Sequence, residues 1–341
     1  MIKPKVLKAG QLIRLISPAS ALAGLVSRRA IRAKSILESL GFRAEFSPLA
    51  LNIAGYYSAS GKERAREINE AFADPDVSAI LSLIGGYHCN QVLPYLDLDL
   101  IARSPKILCG YSDLTVLQMA LWSKLKMISF YGPAGMTQFA EYPEPLSFTI
   151  DNFIKAISDT SSLGKLPSSS FYTDEFLNWF DKSDEIRART LKPNSGPVIL
   201  RRGQASGRLL GGCLSSLLHL AGTQFWPDLE GAILILEVAE GAELSRGESI
   251  SLIDMHLADL NNLGVFDKIS GIAFGRLFNT PEEETQKIFN LLLEYTENQR
   301  LPVLANLDFG HTDPVLTIPL GCQGTLNCIN GSLNVLEPAF A

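Results

Sequence analysis

Three residues have the types and positions needed for acyl-transfer chemistry. Ser112 follows the apolar run KILC in Gly110-Tyr111-Ser112-Asp113, Glu237 interrupts the apolar run ILILEVAE, and His311 follows LANLDFG. In open α/β sheets ligands collect at the carboxyl ends of strands, where all three lie. A serine needs a base to become a nucleophile at neutral pH, histidine suits that task, and a carboxylate fixes the imidazole tautomer and stabilises the imidazolium. Each also has a plainer reading. Ser112 sits in a weakened nucleophile elbow whose usual last glycine is Leu114. The same Ser-Asp pair would serve as a helix cap, and from these residues alone capping is the simpler account. Glu237 could be a solvated strand-end carboxylate with Glu240 its more exposed neighbour, and a lone turn histidine is more often structural than catalytic.

A second glycine-rich turn, Ile84-Gly85-Gly86-Tyr87, follows the most apolar strand of the first half. Paired glycines allow positive φ and close backbone approach, so a glycine N–H here could hold a developing oxyanion beside the free amides of the helix after Ser112. No dinucleotide or P-loop glycine fingerprint occurs at a strand-to-helix junction, and no HExxH or paired His/Asp cluster suggests a metal. His219 and His256 fall in apolar or amphipathic helical patterns, whereas His88 beside the glycine turn is ambiguous.

These groups need a scaffold, and the first half supplies one by alternating β-like runs at 12–17, 43–47, 77–85, 106–109 and 127–132 with helical patterns. That alternation implies βαβ units and a doubly wound parallel sheet of about five strands. The pattern over 27–40 places Ala30, Ala33, Ile36, Leu37 and Leu40 on one stripe and stops at Gly41, a left-handed C-cap. Ser60 and Glu63 form a capping-box pair opening a helix over 61–73. Residues 161–205, rich in Ser, Pro, charge and isolated aromatics, read as a linker with a long loop in which Trp179 and Phe180 either cover a ligand or anchor the linker. Residues 206–341 resume as a mixed α/β domain with a strand-rich, barrel-like end, so the chain divides at 1–160, 161–205 and 206–341.

At 341 residues the chain fits two domains and the cleft between them. A formal net charge of −6 without any lysine- or arginine-rich run argues against a nucleic-acid polymer or an anionic membrane as partner. Neither a secretory signal nor a membrane-length apolar stretch is evident, so a cytoplasmic protein is expected. The five cysteines, 89, 109, 213, 322 and 328, lack zinc-ligand spacing and read as reduced, mostly buried thiols.

Taken together, IGGYHCNQVLPYLD (84–97), CGYSDLT (109–115), FYGPAG (130–135), GRLLGGCLSSL (207–217), ILILEVAE (233–240) and GHTDPVLTIPLG (310–321) resemble the LD-carboxypeptidase family of serine peptidases. The chain length and the long Trp-containing insertion ending in KPNSG look most like its microcin C self-immunity branch. The resemblance implies a Rossmann-like N-terminal domain and a barrel-like C-terminal one with the active site between them. It also implies Ser112 as nucleophile, Glu237 and His311 as its triad partners, and the N–H groups of Gly86 and Asp113 as oxyanion donors. No metal or other cofactor and a homodimer are further implications. Tyr87 and Trp179 become the candidate substrate contacts, Trp179 as the residue to stack on a nucleotide base. His88-Cys89, Cys213 and Pro197 depart from the branch pattern near substrate-facing segments and bear on specificity more than chemistry. The expected substrate is a small peptide or peptidyl-nucleotide, either a murein stem peptide or a conjugate of microcin C type. A non-catalytic protein that sequesters the same ligands is the alternative.

Overall fold

The computed structural model describes residues 1–341. Its first five strands are β1 (Leu12–Ile16), β2 (Arg43–Phe46), β3 (Val77–Ser82), β4 (Ile107–Gly110) and β5 (Ser129–Tyr131). They run parallel in the order β2-β1-β3-β4-β5. The chain winds first to one side of β1 and then to the other, so a crevice opens beyond the carboxyl ends of β1 and β3, where doubly wound sheets take their ligands. Every residue of β4 and all but one of β3 are buried, as expected for strands covered on both faces.

The helices form where the apolar stripes indicate. Ser27–Ser39 buries Ala30, Ala33 and Leu37, and Gly41 follows at φ +90°. Gly61–Ala73 starts with a complete capping box, the Ser60 side chain accepting from the Glu63 amide and the Glu63 carboxylate accepting from the Ser60 amide. Leu114–Leu125 differs in being buried on all sides from Leu114 to Trp122. Such a helix belongs between two layers, and it is the one that begins beside Ser112.

Between the two halves lie β6 (Gly164–Lys165), β7 (Phe171–Tyr172), β8 (Lys192–Pro193) and β9 (Val198–Arg201). Then come β10 (Gln204–Cys213), β11 (Ile233–Glu237), β12 (Gly271–Gly275), β13 (Val303–Leu307), β14 (Ile318–Leu320), β15 (Gln323–Asn327) and β16 (Ser332–Val335). A second, mixed sheet has the order β6-β16-β15-β10-β11-β12-β13-β9, with β10 to β13 parallel. Its antiparallel end curls back over the parallel one: a Cβ on Gly271 of β12 would lie 3.1 Å from Leu326 Cδ2 of β15. That curl gives the barrel-like end.

The halves are interlocked. β14, far along the chain, pairs antiparallel with β5 and completes the first sheet, while β9 forms an edge of the second. Strand β10 pairs with β15 through residues 204–208 and with β11 through 209–213. At its end Gly212, φ +144°, passes so close to the buried helix that a Cβ would lie 2.4 Å from Thr115 Oγ1. The next amide, Cys213 N–H, donates to that hydroxyl at 3.0 Å. All five cysteines are buried and unpaired, and no helix is long and apolar enough to cross a membrane.

The capping box at Ser60 gives a clean test because its side chain is remote from the three candidate groups. Ser60→Ala should lower unfolding free energy by about 1 kcal/mol. Urea titration should show an earlier midpoint with an unchanged slope.

Candidate active site

Strand β4 delivers the chain to Ser112 through Gly110, whose φ of +149° and lack of Cβ let it pass Leu114 and Ser82. Ser112 itself has φ +59°, a left-handed conformation that non-glycine residues adopt rarely. The expectation that Ser112 caps the following helix is therefore corrected. Asp113 occupies the N-cap position with helical dihedrals and makes no side-chain cap. The left-handed turn carries Ser112 Oγ to 3.1 Å from His311 Nε2 instead.

His311 approaches from the loop after β13, and its Nδ1 lies 2.7 Å from Glu237 Oε2 at the end of β11. Glu237 is fully buried, which removes the solvated-carboxylate reading. Its second oxygen accepts from the Tyr131 hydroxyl at 2.5 Å, and the same hydroxyl accepts from the Ser112 amide at 3.3 Å. Gly310 and Gly275 make room for this carboxylate; a Cβ on either would lie 2.7–2.8 Å from a Glu237 side-chain atom. Burial alone would depress the His311 pKa, but the carboxylates of Glu237 and Glu240 outweigh it and raise it to about 9. Ser112, His311 and Glu237 thus form one hydrogen-bonded row able to move a proton from hydroxyl to imidazole.

The glycine turn lies against this row. A Cβ on Gly85 would come within 2.7 Å of Ser112 Oγ and 3.5 Å of the Asp113 nitrogen, while Gly86 sits at φ +150° against Ala19 and Ser20. Behind the turn, Asp113 Oδ2 accepts from the Cys89 amide at 2.8 Å. Burial raises the Asp113 pKa to about 7, against the opposing pull of amide donors from Cys89 and His88. The buried guanidinium of Arg64 donates to the carbonyls of Ala59, Pro18 and His88 and to Gln91 Oε1. One helix side chain therefore ties together the loops that follow β1 and β3.

These groups open into a cavity of about 390 Å³, a size suited to a small ligand. Its walls include Tyr87, Trp179, Phe176, Phe180, Cys213 and His88; His219, His256 and Pro197 do not line it. Tyr87 is exposed at the rim, and Trp179 is half-buried with the Arg29 guanidinium 4.2 Å from its ring centroid. The long loop is held by charge. Asp184 pairs with Arg28 and Arg29, Glu185 with Arg32, and Arg189 with Glu141 and Asp313. Arg29 and Asp184 are both buried, a pairing whose rupture typically costs about 3–5 kcal/mol. No group of three or more His, Cys, Asp or Glu side chains converges in a metal-binding arrangement.

Sequence reasoning missed Tyr131, Arg64 and the ion pairs of the loop. Tyr131 had a faint signal as a polar-tipped aromatic ending a buried strand; the ion pairs join residues 48 to 156 positions apart and had none.

Nitrogen-15 NMR should find the His311 ring titrating near pH 9, and Glu237→Gln should move that titration downward. Titration at the ordinary histidine value in the unaltered protein would contradict the charge arrangement.

The arrangement has close counterparts. Residues 13–132 match the profile of the LD-carboxypeptidase N-terminal domain and residues 206–326 that of the LD-carboxypeptidase C-terminal domain. YocD of Bacillus subtilis (strain 168), named as a carboxypeptidase, is 33% identical over 329 residues, covering 96% of this chain and 97% of its own. The Microcin C7 self-immunity protein MccF of Escherichia coli is 32% identical over 337 residues, covering 97% and 94%. Structures of MccF in complex with glutamyl sulfamoyl guanosine and with aspartyl sulfamoyl adenosine each superpose at a TM-score of 0.92, with 30% identity and complete coverage of both chains. Matching profiles for both halves, in the same order and on the same fold, make this chain a member of the LD-carboxypeptidase family and a peptidase of the serine type.

Proposed function

We propose that the chain is a serine carboxypeptidase that cleaves the terminal acyl bond of a small aminoacyl- or peptidyl-nucleotide conjugate. The observation that carries this reading is the unbroken row Ser112–His311–Glu237, closed at its buried end by Tyr131. Ser112 Oγ attacks the carbonyl carbon as His311 Nε2 takes its proton, and Glu237 holds the imidazolium. The N–H groups of Gly86 and Asp113 receive the oxyanion, each donor worth about 3 kcal/mol. His311 returns the proton to the leaving nitrogen, and water then releases the acyl group by the same route reversed.

A nucleotide-bearing substrate is favoured by the aromatic side chains that line the same cavity as Ser112. Trp179 is the candidate to stack on a base and Tyr87 to contact it at the rim, and the sulfamoyl nucleosides bound by MccF are ligands of this kind. The homodimer and cytoplasmic setting implied by the resemblance belong to the same proposal. The competing substrate is a murein stem peptide, and the competing function is sequestration without turnover.

Mass spectrometry of products from aspartyl sulfamoyl adenosine and from murein tetrapeptide should show cleavage of the first. Cleavage of the tetrapeptide alone would reassign the substrate. Ser112→Ala should lower kcat by about 10⁴-fold or more while leaving binding in place; a binding protein would show no turnover before or after the substitution. Because the imidazolium cannot accept the serine proton, kcat/KM should climb with pH and level off above about 9.

A further inference from the structure

Glu240 lies just beyond the strand that supplies Glu237 and borders the cavity. Its Oε2 is 3.1 Å from His311 Nε2, is shielded from solvent and has no hydrogen-bond partner. Ser112 Oγ lies 3.1 Å from the same ring nitrogen. When the imidazole is neutral, with its proton on Nδ1 toward Glu237, Nε2 presents a lone pair to the serine hydroxyl. Glu240 then faces that lone pair with no donor. Apart from the imidazolium form of His311 itself, no protein cation pairs with it, since Arg29 is engaged by Asp184, and Arg189 by Glu141 and Asp313. The groups facing His311 from the surrounding elements are otherwise Glu237, Asp313 and the uncharged ring of Tyr111.

We infer that Glu240 is a specificity-determining residue that receives a free ammonium group on the acyl residue of the substrate. The distances select which ammonium. Glu240 Oε2 and Ser112 Oγ lie the same short distance from one nitrogen, so the cation must sit close to the attacked carbonyl carbon, and an α-ammonium is only two bonds from that carbon. A side-chain amine reaches farther away, and an acylated α-nitrogen carries no charge. The preferred substrate is therefore an aminoacyl conjugate rather than an N-blocked or peptidyl one. Seating the ammonium also neutralises one of the two carboxylates that hold His311 in its cationic form, so the correct substrate frees the base that acts on it.

The inference rests on the hydrolase reading above, and its test separates the two. Alanyl-, N-acetylalanyl- and propionyl-sulfamoyl adenosine differ at the α-position alone. The unaltered enzyme should favour the alanyl compound in kcat/KM by about tenfold or more, the scale of a close charge pair at a binding site. Glu240→Gln should reduce that lead to within about threefold and lower the pH at which kcat/KM levels off. An equal lead in both proteins, or none in the unaltered enzyme, overturns the inference. If none of the three is cleaved, the hydrolase reading fails, and calorimetric affinities in the Ser112→Ala and Ser112→Ala/Glu240→Gln proteins decide the role of Glu240 by the same ratios.

Discussion

One buried carboxylate governs the rest of the site. Glu237 ends a strand of the second sheet, yet one of its oxygens is held by Tyr131, which ends a strand of the first, and the other by His311. A fully buried carboxylate is tolerated only when such partners are in place, and removing one from a pair of this kind typically costs about 3–5 kcal/mol. The same bonds that satisfy Glu237 hold the two sheets in register across the cleft and aim the imidazole at Ser112. Stability and chemistry draw on a single set of contacts.

The surrounding backbone is shaped to that requirement. Gly275 and Gly310 exist where any side chain would strike Glu237, and Gly85 where one would strike Ser112. Glycine is otherwise a weak choice in a strand or beside one, since it gives up the most conformational freedom on folding. Its concentration around three polar groups shows space being kept for them. The left-handed serine has the same logic: strain at one residue is held by the buried helix behind it and by β4 in front.

Much of this was legible in the chain. The stripe over 27–40, the helix over 61–73 with its capping pair at Ser60 and Glu63, and the stop at Gly41 all fold as their patterns indicate, because each depends on neighbours within a few residues. The strand ends located Ser112, Glu237 and His311, because polar residues interrupting apolar runs are conspicuous. What local pattern could not carry was the angle of one residue. Ser112 reads as a cap because Ser-Asp is good capping chemistry; its positive φ comes from packing between a buried helix, Gly85 and Tyr131. For the same reason the pairing of Arg29 with Asp184 and the approach of Glu240 to His311 are invisible in sequence, each joining segments brought together only by the fold.

Strand β14 gives the architecture an order in time. The first sheet's β5 edge is covered by a segment that follows it by nearly two hundred residues, and His311 arrives in the same stretch of chain. A ribosome emitting this polypeptide exposes β5 as an open edge until almost all of the second domain has been made. Such an edge is prone to wrong pairing, and contacts of this sequence separation form slowly. On the proposed reading the nascent chain holds its nucleophile, Ser112, early and its base, His311, late, so competence would arrive together with closure of the sheet.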